Sequence, residues 1–214
     1  YDEAISRVRT NQTGNGKFFL STGAWFLTDD YVDSAKKRGC PECVYRLDER
    51  FARCLARLFH GSTVTELGAG IGRYKSAIEP TGVRRYSAYD GMPDVESKSK
   101  GVVRHADLST TDNAIEQSEW VMTLEVAEHI PPQFEANFLA NIDKANTRGV
   151  VITWSPWGKS KSNHGHVNPK TPAQLTALFT NRGYKVDLNS SRALRGCATF
   201  PYFKKVQVFM RLAG

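Results

Sequence analysis

Apolar residues recur along this chain first at helical spacing and then in short runs that alternate with helical stripes. Within residues 46–60, Phe51, Cys54, Leu55, Leu58 and Phe59 fall on one face at intervals of three and four, which predicts a helix that Gly61 ends. Short apolar runs at 63–67, 84–90, 101–108, 120–124 and 150–154 read as strands, several of them ending in glycine or an acid. Behind Pro131-Pro132, the residues Phe134, Phe138, Leu139 and Ile142 return to helical spacing. Thr171-Pro172 is an N-cap followed by a first-turn proline, Leu175, Leu178 and Phe179 form the stripe, and Gly183 closes it. Residues 184–188 and 203–211 are strand-like. In the second, Val206, Val208 and Met210 alternate with Lys205, Gln207 and Arg211, which predicts an antiparallel strand at the sheet's edge.

Strands alternating with helices over residues 61–214 predict a doubly wound α/β domain with a mostly parallel sheet. Residues 1–60 carry turn chemistry at Thr13-Gly14-Asn15-Gly16 and Ser21-Thr22-Gly23 and then the first helix, and read as a helical N-terminal cap. The chain has 214 residues, enough for one such domain with an extension and too few for two. Its 40% hydrophobic and 24% charged content excludes a disordered tail or a collagen, and no apolar run reaches the length of a membrane span. Because the first residue is Tyr1, a segment is expected to precede it, and the sequence leaves both the cytoplasm and the secretory lumen open.

The net charge of +7, from 29 basic and 22 acidic residues, permits an anionic partner, but no block of like charges demands one. Cys40 and Cys43 form C-P-E-C without a second matching pair, so a structural zinc is not expected. Cys54 and Cys197 stand alone, which leaves buried thiols and a disulfide both open. Asn11 and Asn189 begin N-x-S/T triplets.

Candidate chemistry concentrates at the ends of the predicted strands. The first runs into Glu66-Leu67-Gly68-Ala69-Gly70-Ile71-Gly72, where glycines allow a sharp turn and close approach to a nucleoside ligand. The dinucleotide fingerprint would need glycine at 73, where the chain has Arg73, so a dehydrogenase is disfavoured. Glu66 suits a cationic ligand better than a pyrophosphate. Asp90 ends the second strand, placed to accept two ribose hydroxyls, and Asp107 with Leu108 ends the third, placed to take an adenine amino group.

Together with Leu124-Glu125-Val126-Ala127-Glu128-His129-Ile130-Pro131, these segments resemble successive motifs of the class I S-adenosylmethionine-dependent methyltransferases. The resemblance spans residues 61 to about 212. It implies a seven-stranded Rossmann-like sheet and S-adenosyl-L-methionine as cofactor. Gly68 and Gly70 would pass under the methionine, with Glu66 and Glu125 beside the cofactor, Asp90 on the ribose, and Asp107 and Leu108 on the adenine. Residues 1–60 carry no motif of the family, whose helical lids shape the acceptor pocket, and Trp25 is open to a place in such a lid or in the core.

Two carboxylates and an imidazole crowded into residues 125–129 call for compensation, and a divalent cation supplies it. The E-x-x-E-H pattern with a downstream histidine resembles the metal site of the small-RNA 3′-end 2′-O-methyltransferases and the ubiquinone-pathway O-methyltransferases. That resemblance implies Glu125, Glu128, His129 and His166 as ligands of Mg²⁺ or Mn²⁺, with Zn²⁺ less suited. The stretch 154–168 departs from the RNA family's motif. The expected reaction is O-methylation of a hydroxyl or vicinal diol on a small molecule, a glycan or an RNA end, with His164 or another base as proton acceptor. Arg84, Arg85, Lys98, Lys100, Lys159 and Lys161 are the basic residues that an RNA end would use. The alternatives are a metal-free enzyme with His129 or His166 as base, and a cofactor-binding subunit without catalysis.

Overall fold

A computed structural model of the chain describes residues 11–13, 17–27, 33, 37, 45–158 and 165–212. Three short strands, β1 (Asn11–Thr13), β2 (Lys17–Phe19) and β3 (Trp25–Leu27), pair antiparallel as a meander. Helix α1 (Glu49–Phe59) follows, and the main sheet begins with β4 (Thr63–Leu67). Next come α2 (Arg73–Ile78), β5 (Arg85–Asp90), α3 (Val95–Lys98), β6 (Arg104–His105) and β7 (Ser118–Thr123). The chain continues through α4 (Glu135–Ala145), β8 (Asn146–Ile152), α5 (Pro172–Thr180), β9 (Tyr184–Val186), α6 (Leu188–Cys197) and β10 (Gln207–Arg211).

The main sheet has seven strands in the order β6-β5-β4-β7-β8-β10-β9. All pairings from β6 to β8 are parallel, and β10 runs antiparallel to both its neighbours. This is the predicted doubly wound α/β sheet with an antiparallel C-terminal strand. Its central strands are apolar on both faces because helices cover both sides. Val64, Leu67, Val121, Met122, Val150, Val151 and Ile152 have no exposed surface. On one side α1 packs Phe51, Leu55 and Phe59 against the sheet; on the other, Phe138, Ile142 and Phe179 from α4 and α5 fill the second core.

The local signals hold where a cap defines them. Asp48 accepts from the amide of Phe51 at the start of α1, and Thr171 with Gln174 forms a reciprocal capping box on α5. Three features differ from the sequence reading. Asn11–Thr13, Lys17–Phe19 and Trp25–Leu27 form the β-meander, where no periodic pattern is legible in the sequence. β10 is not an edge strand: Val208 and Phe209 are both fully buried between β8 and β9, and β9 takes the edge. Helix α6 was unread because its segment, LNSSRALRGC, buries only Ser191 and Leu194 and so shows no stripe. Cys40, Cys43, Lys159, Lys161 and His164 lie outside the described residues, and no described helix is long and apolar enough to cross a membrane.

Cys54 of α1 and Cys197 at the end of α6 are joined in a disulfide across 143 residues. Beside it, Asp48 accepts from the amides of Thr199 at 2.6 Å and Phe200 at 3.0 Å, so the start of α1 and the end of α6 are tied twice. Closing so long a loop restricts the unfolded chain strongly. Replacing both cysteines by serine is expected to cost about 2–5 kcal/mol, read as a lower urea midpoint than that of the oxidised wild type.

Candidate active site at the carboxyl edge of the sheet

The chain reverses its winding direction between β4 and β7, and the crevice opens at their carboxyl ends. After β4 the backbone turns under β5: the amides of Gly68 and Ala69 both donate to the carbonyl of Tyr89, at 2.8 and 2.9 Å. The turn requires glycine. Gly68 sits at φ +80°, and a Cβ there would meet Val126 at 2.2 Å; Gly70, at φ +57°, lies against the Tyr45 ring. The cleft above this turn has a volume of about 380 Å³, and Glu66, Gly68, Gly70, Asp90, Asp107, Leu108, Glu125 and His129 all line it. The seven residues assigned to the cofactor from the sequence therefore share one cavity.

The acids are held in different ways. Asp90 accepts from the amides of Gly70 at 2.7 Å and Met92 at 2.8 Å, one on each oxygen, which fixes the carboxylate and leaves each oxygen a second lone pair. Burial still pushes its pKa up to about 6 against those two donors. Asp107 accepts from the amide of Ser109 at 2.9 Å, so it is a turn former as well as a wall of the cleft. Glu66 lies beneath, 3% exposed, and accepts from the Tyr86 hydroxyl at 2.9 Å. Burial, with a smaller contribution from the Asp90 charge, pushes it up to about 8 although the Tyr86 bond opposes the shift.

Beyond β7, Glu125 adopts a left-handed backbone at φ +56°, a strained conformation for a glutamate, with its amide on the Thr153 hydroxyl at 2.7 Å. Ala127–His129 form a tight helical turn. The carbonyl of Glu128 accepts from the amides of Val167 and Asn168, at 2.9 and 3.0 Å, and the Gly165 carbonyl accepts from His129 Nδ1 at 3.0 Å. These three bonds lay the segment carrying His166 onto the turn carrying His129. Side-chain atoms of Glu128, His129 and His166 then come within 4.8 Å of one another, and the two imidazoles stand nearly perpendicular with centroids 4.9 Å apart. Glu125 lies next to this trio but is not within it.

Both Nδ1 atoms face carbonyls, His129 that of Gly165 and His166 that of Trp157 at 2.9 Å. A carbonyl only accepts, so Nδ1 carries the proton in each and the lone pair is on Nε2. Glu128 has no exposed surface, and neither of its oxygens receives a hydrogen bond. Burial, reinforced by the Glu125 charge, raises its pKa well above the carboxylate range; amides of Glu128 and Ser155 lie close enough to oppose this but miss hydrogen-bond geometry. Such a buried carboxylate beside two lone-pair nitrogens fits a divalent cation. Tyr45, Arg46, Tyr202 and Phe203 complete the cleft, and Thr22, Gly23 and Ala24 from the N-terminal segment form part of its wall. None carried a motif. Arg84 and Arg85 lie instead at the amino edge, paired with Glu119 and Glu116.

No family model and no curated protein matches the chain, but solved structures do. A TehB-like SAM-dependent methyltransferase from Corynebacterium glutamicum is 13% identical with a TM-score of 0.61, covering 87% of this chain and 100% of its own. The methyltransferase domain of bacterial CtHen1-C gives 15% and 0.56, over 78% and 98%. The 1,6-didemethyltoxoflavin-N1-methyltransferase of Burkholderia thailandensis, solved with S-adenosylhomocysteine, gives 16% and 0.52, over 95% and 99%. The chain has the class I methyltransferase fold.

Because folded Glu66 keeps its proton to about pH 8 whereas the unfolded chain releases it near 4.5, this group lowers stability as pH rises through that window. Between about pH 6 and 8, above the range of Asp90, Glu66→Gln is expected to flatten the fall of the cofactor-free unfolding midpoint. It should also raise the midpoint at pH 8 in a thermal-melt series.

Proposed function

We propose that the protein is an S-adenosyl-L-methionine-dependent methyltransferase that methylates a hydroxyl group with the help of a divalent cation held by Glu128, His129 and His166. The observation that carries the reading is the pair of carboxylates, Asp90 and Asp107, set around one glycine turn in a cleft that Glu125 and His129 also line, with the orphaned carboxylate of Glu128 buried beside His129. Neighbours of the same fold that bind S-adenosylhomocysteine support the cofactor.

S-adenosylmethionine brings a methyl group already activated on sulfur, so what is left to the protein is alignment and the release of an acceptor lone pair. Asp90 would hold the ribose hydroxyls, Asp107 and Leu108 the adenine, and Gly68 and Gly70 would let the backbone come close beneath the methionine. Glu66, deep in the same cleft, would take its ammonium group. A divalent cation bound by Glu128, His129 and His166 would lower the pKa of a hydroxyl and orient it. Gly165 and Trp157, by accepting from Nδ1 of His129 and His166, would leave Nε2 of each as the ligand nitrogen. Neighbouring hydroxyls that chelate the cation favour diols on a sugar, a catechol or a ribose end. The aromatic wall formed by Tyr45, Tyr202 and Phe203 suits the ring that carries them.

Calorimetry with S-adenosylhomocysteine tests the first half. Binding is expected for the wild type, with no NAD binding, and Asp90→Ala should weaken it by about tenfold or more, as loss of a charge-assisted bond to the ribose implies. Methyl transfer should disappear with EDTA, return with Mn²⁺, and drop by about a hundredfold or more in Glu128→Gln, as loss of a metal-assisted step implies. Full transfer after complete chelation would leave His129 or His166 acting as a base without metal.

A further inference from the structure

Among the described residues, Tyr45, Asp94, Lys100 and Glu125 hold a left-handed backbone without being glycine, and of these Tyr45 and Glu125 line the cleft. Tyr45 stands at φ +51°, a conformation that a bulky residue keeps only where its surroundings impose it. The residues that follow it are tied down. The Arg46 guanidinium stacks on Phe200, 4.5 Å from the ring centroid. Asp48 accepts from the amides of Thr199 and Phe200, and its own amide donates to the Tyr74 hydroxyl at 3.3 Å. Residues 46–48 are thus fixed to the corner that the Cys54–Cys197 bridge closes, and the reversed backbone at Tyr45 carries the ring from there to the glycine turn.

The ring touches a particular pair of residues. A Cβ on Gly70 would come within 2.9 Å of Tyr45 Cδ1, and the Tyr45 hydroxyl donates to Met92 Sδ at 3.2 Å. Gly70 and Met92 are also the residues whose amides hold Asp90, one on each carboxylate oxygen. Tyr45 therefore bridges the same two residues that Asp90 bridges, and both side chains line the cleft. A thioether sulfur is a weak acceptor, so the bond that closes this bridge is easily opened.

We propose that Tyr45 closes over the nucleoside half of the cofactor at Asp90, and that the opening of its contacts with Gly70 and Met92 sets how fast the demethylated product leaves. A ring lying across the ribose has to move aside at each turnover, which makes it a latch on product release. This assignment rests on the methyltransferase reading, since it gives the cofactor of that reading its cover. Of the aromatic wall, Tyr45 then serves the cofactor, and Tyr202 and Phe203 are left to the acceptor.

The test uses the full chain and the variants Tyr45→Leu, Tyr45→Phe, Met92→Leu and the last two combined. Dissociation rates are measured by surface plasmon resonance for S-adenosylhomocysteine and for methylthioadenosine, which keeps the nucleoside and lacks the amino acid. Tyr45→Leu is expected to release both ligands about tenfold faster or more, the scale of a lost aromatic contact. The factor should be the same for both, because the ring covers the part they share. Tyr45→Phe and Met92→Leu each remove only the bond to sulfur and should each speed release about threefold, the scale of one weak hydrogen bond. Combined, they should do no more than either alone. An unchanged dissociation rate in Tyr45→Leu, or faster release of S-adenosylhomocysteine with methylthioadenosine unaffected, would overturn the proposal. Should Tyr45→Leu fail to fold, the other two single variants decide: faster release in either supports the latch, and wild-type rates in both overturn it. If the wild type binds neither ligand, the methyltransferase reading falls and this assignment with it.

Discussion

Parallel pairing of β4 with β5 and β7 fixes where chemistry can happen in this protein. Parallel strands deliver all their carboxyl ends to one edge, so whatever follows each strand converges there: the glycine turn after β4, Asp90 at the end of β5, Asp107 after β6 and Glu125 after β7. The antiparallel β10 obeys the same constraint in reverse. Its first residue, Gln207, is paired with Ile152 near the carboxyl end of β8, so the turn preceding it arrives at the same edge. Tyr202 and Phe203 reach the cleft for that reason, although in sequence they are far from every other residue there.

The two edges of the sheet handle charge differently. At the amino edge Arg84, Arg85 and Arg104 are paired with Glu116 and Glu119, and both acids are held below the usual carboxylate range by hydrogen bonds and these cations. At the carboxyl edge Glu66, Asp90, Glu125 and Glu128 are all pushed upward by burial. Cations are present at this edge too: Arg46 and Arg73 line the cleft, and Lys205 bears electrostatically on Glu125 and Glu128.

How much of this could be read from the sequence follows from whether a feature is local. The glycine turn, Asp90 at the end of β5 and the N-cap at Thr171 each declare themselves within a few residues and appear where the pattern puts them, whereas Asp107 lies two residues beyond β6, because the third apolar run pairs only at Arg104 and His105. His166 was preferred over His164 by its distance from the next helix, and the carbonyl of Glu128 is what brings that segment to His129. Long-range features left no such trace. The Cys54–Cys197 bridge spans 143 residues and had no motif to announce it. β10 alternates like an edge strand because its polar members are tied up within the sheet, as when Gln207 donates to Pro172 and Thr176 of α5. The contact of Lys205 with the Trp157 ring likewise left no trace, because the two are 48 residues apart in the chain.

A comparison of two buried acids distinguishes structural from functional burial. Asp48 is 1% exposed and Glu128 fully covered, so burial raises the pKa of both. At Asp48 the backbone answers with donors from Phe51, Thr199 and Phe200, and the net shift is downward. At Glu128 no donor among the described residues is in hydrogen-bond geometry, and the net shift is upward. The same fold that satisfies one buried carboxylate three times over leaves the other unsatisfied, between two histidines whose protons are turned away. Packing alone gives no reason for that arrangement, because a glutamine or methionine of similar volume would fill the space at lower cost. On the function proposed above, a cation would satisfy that carboxylate together with the imidazoles of His129 and His166.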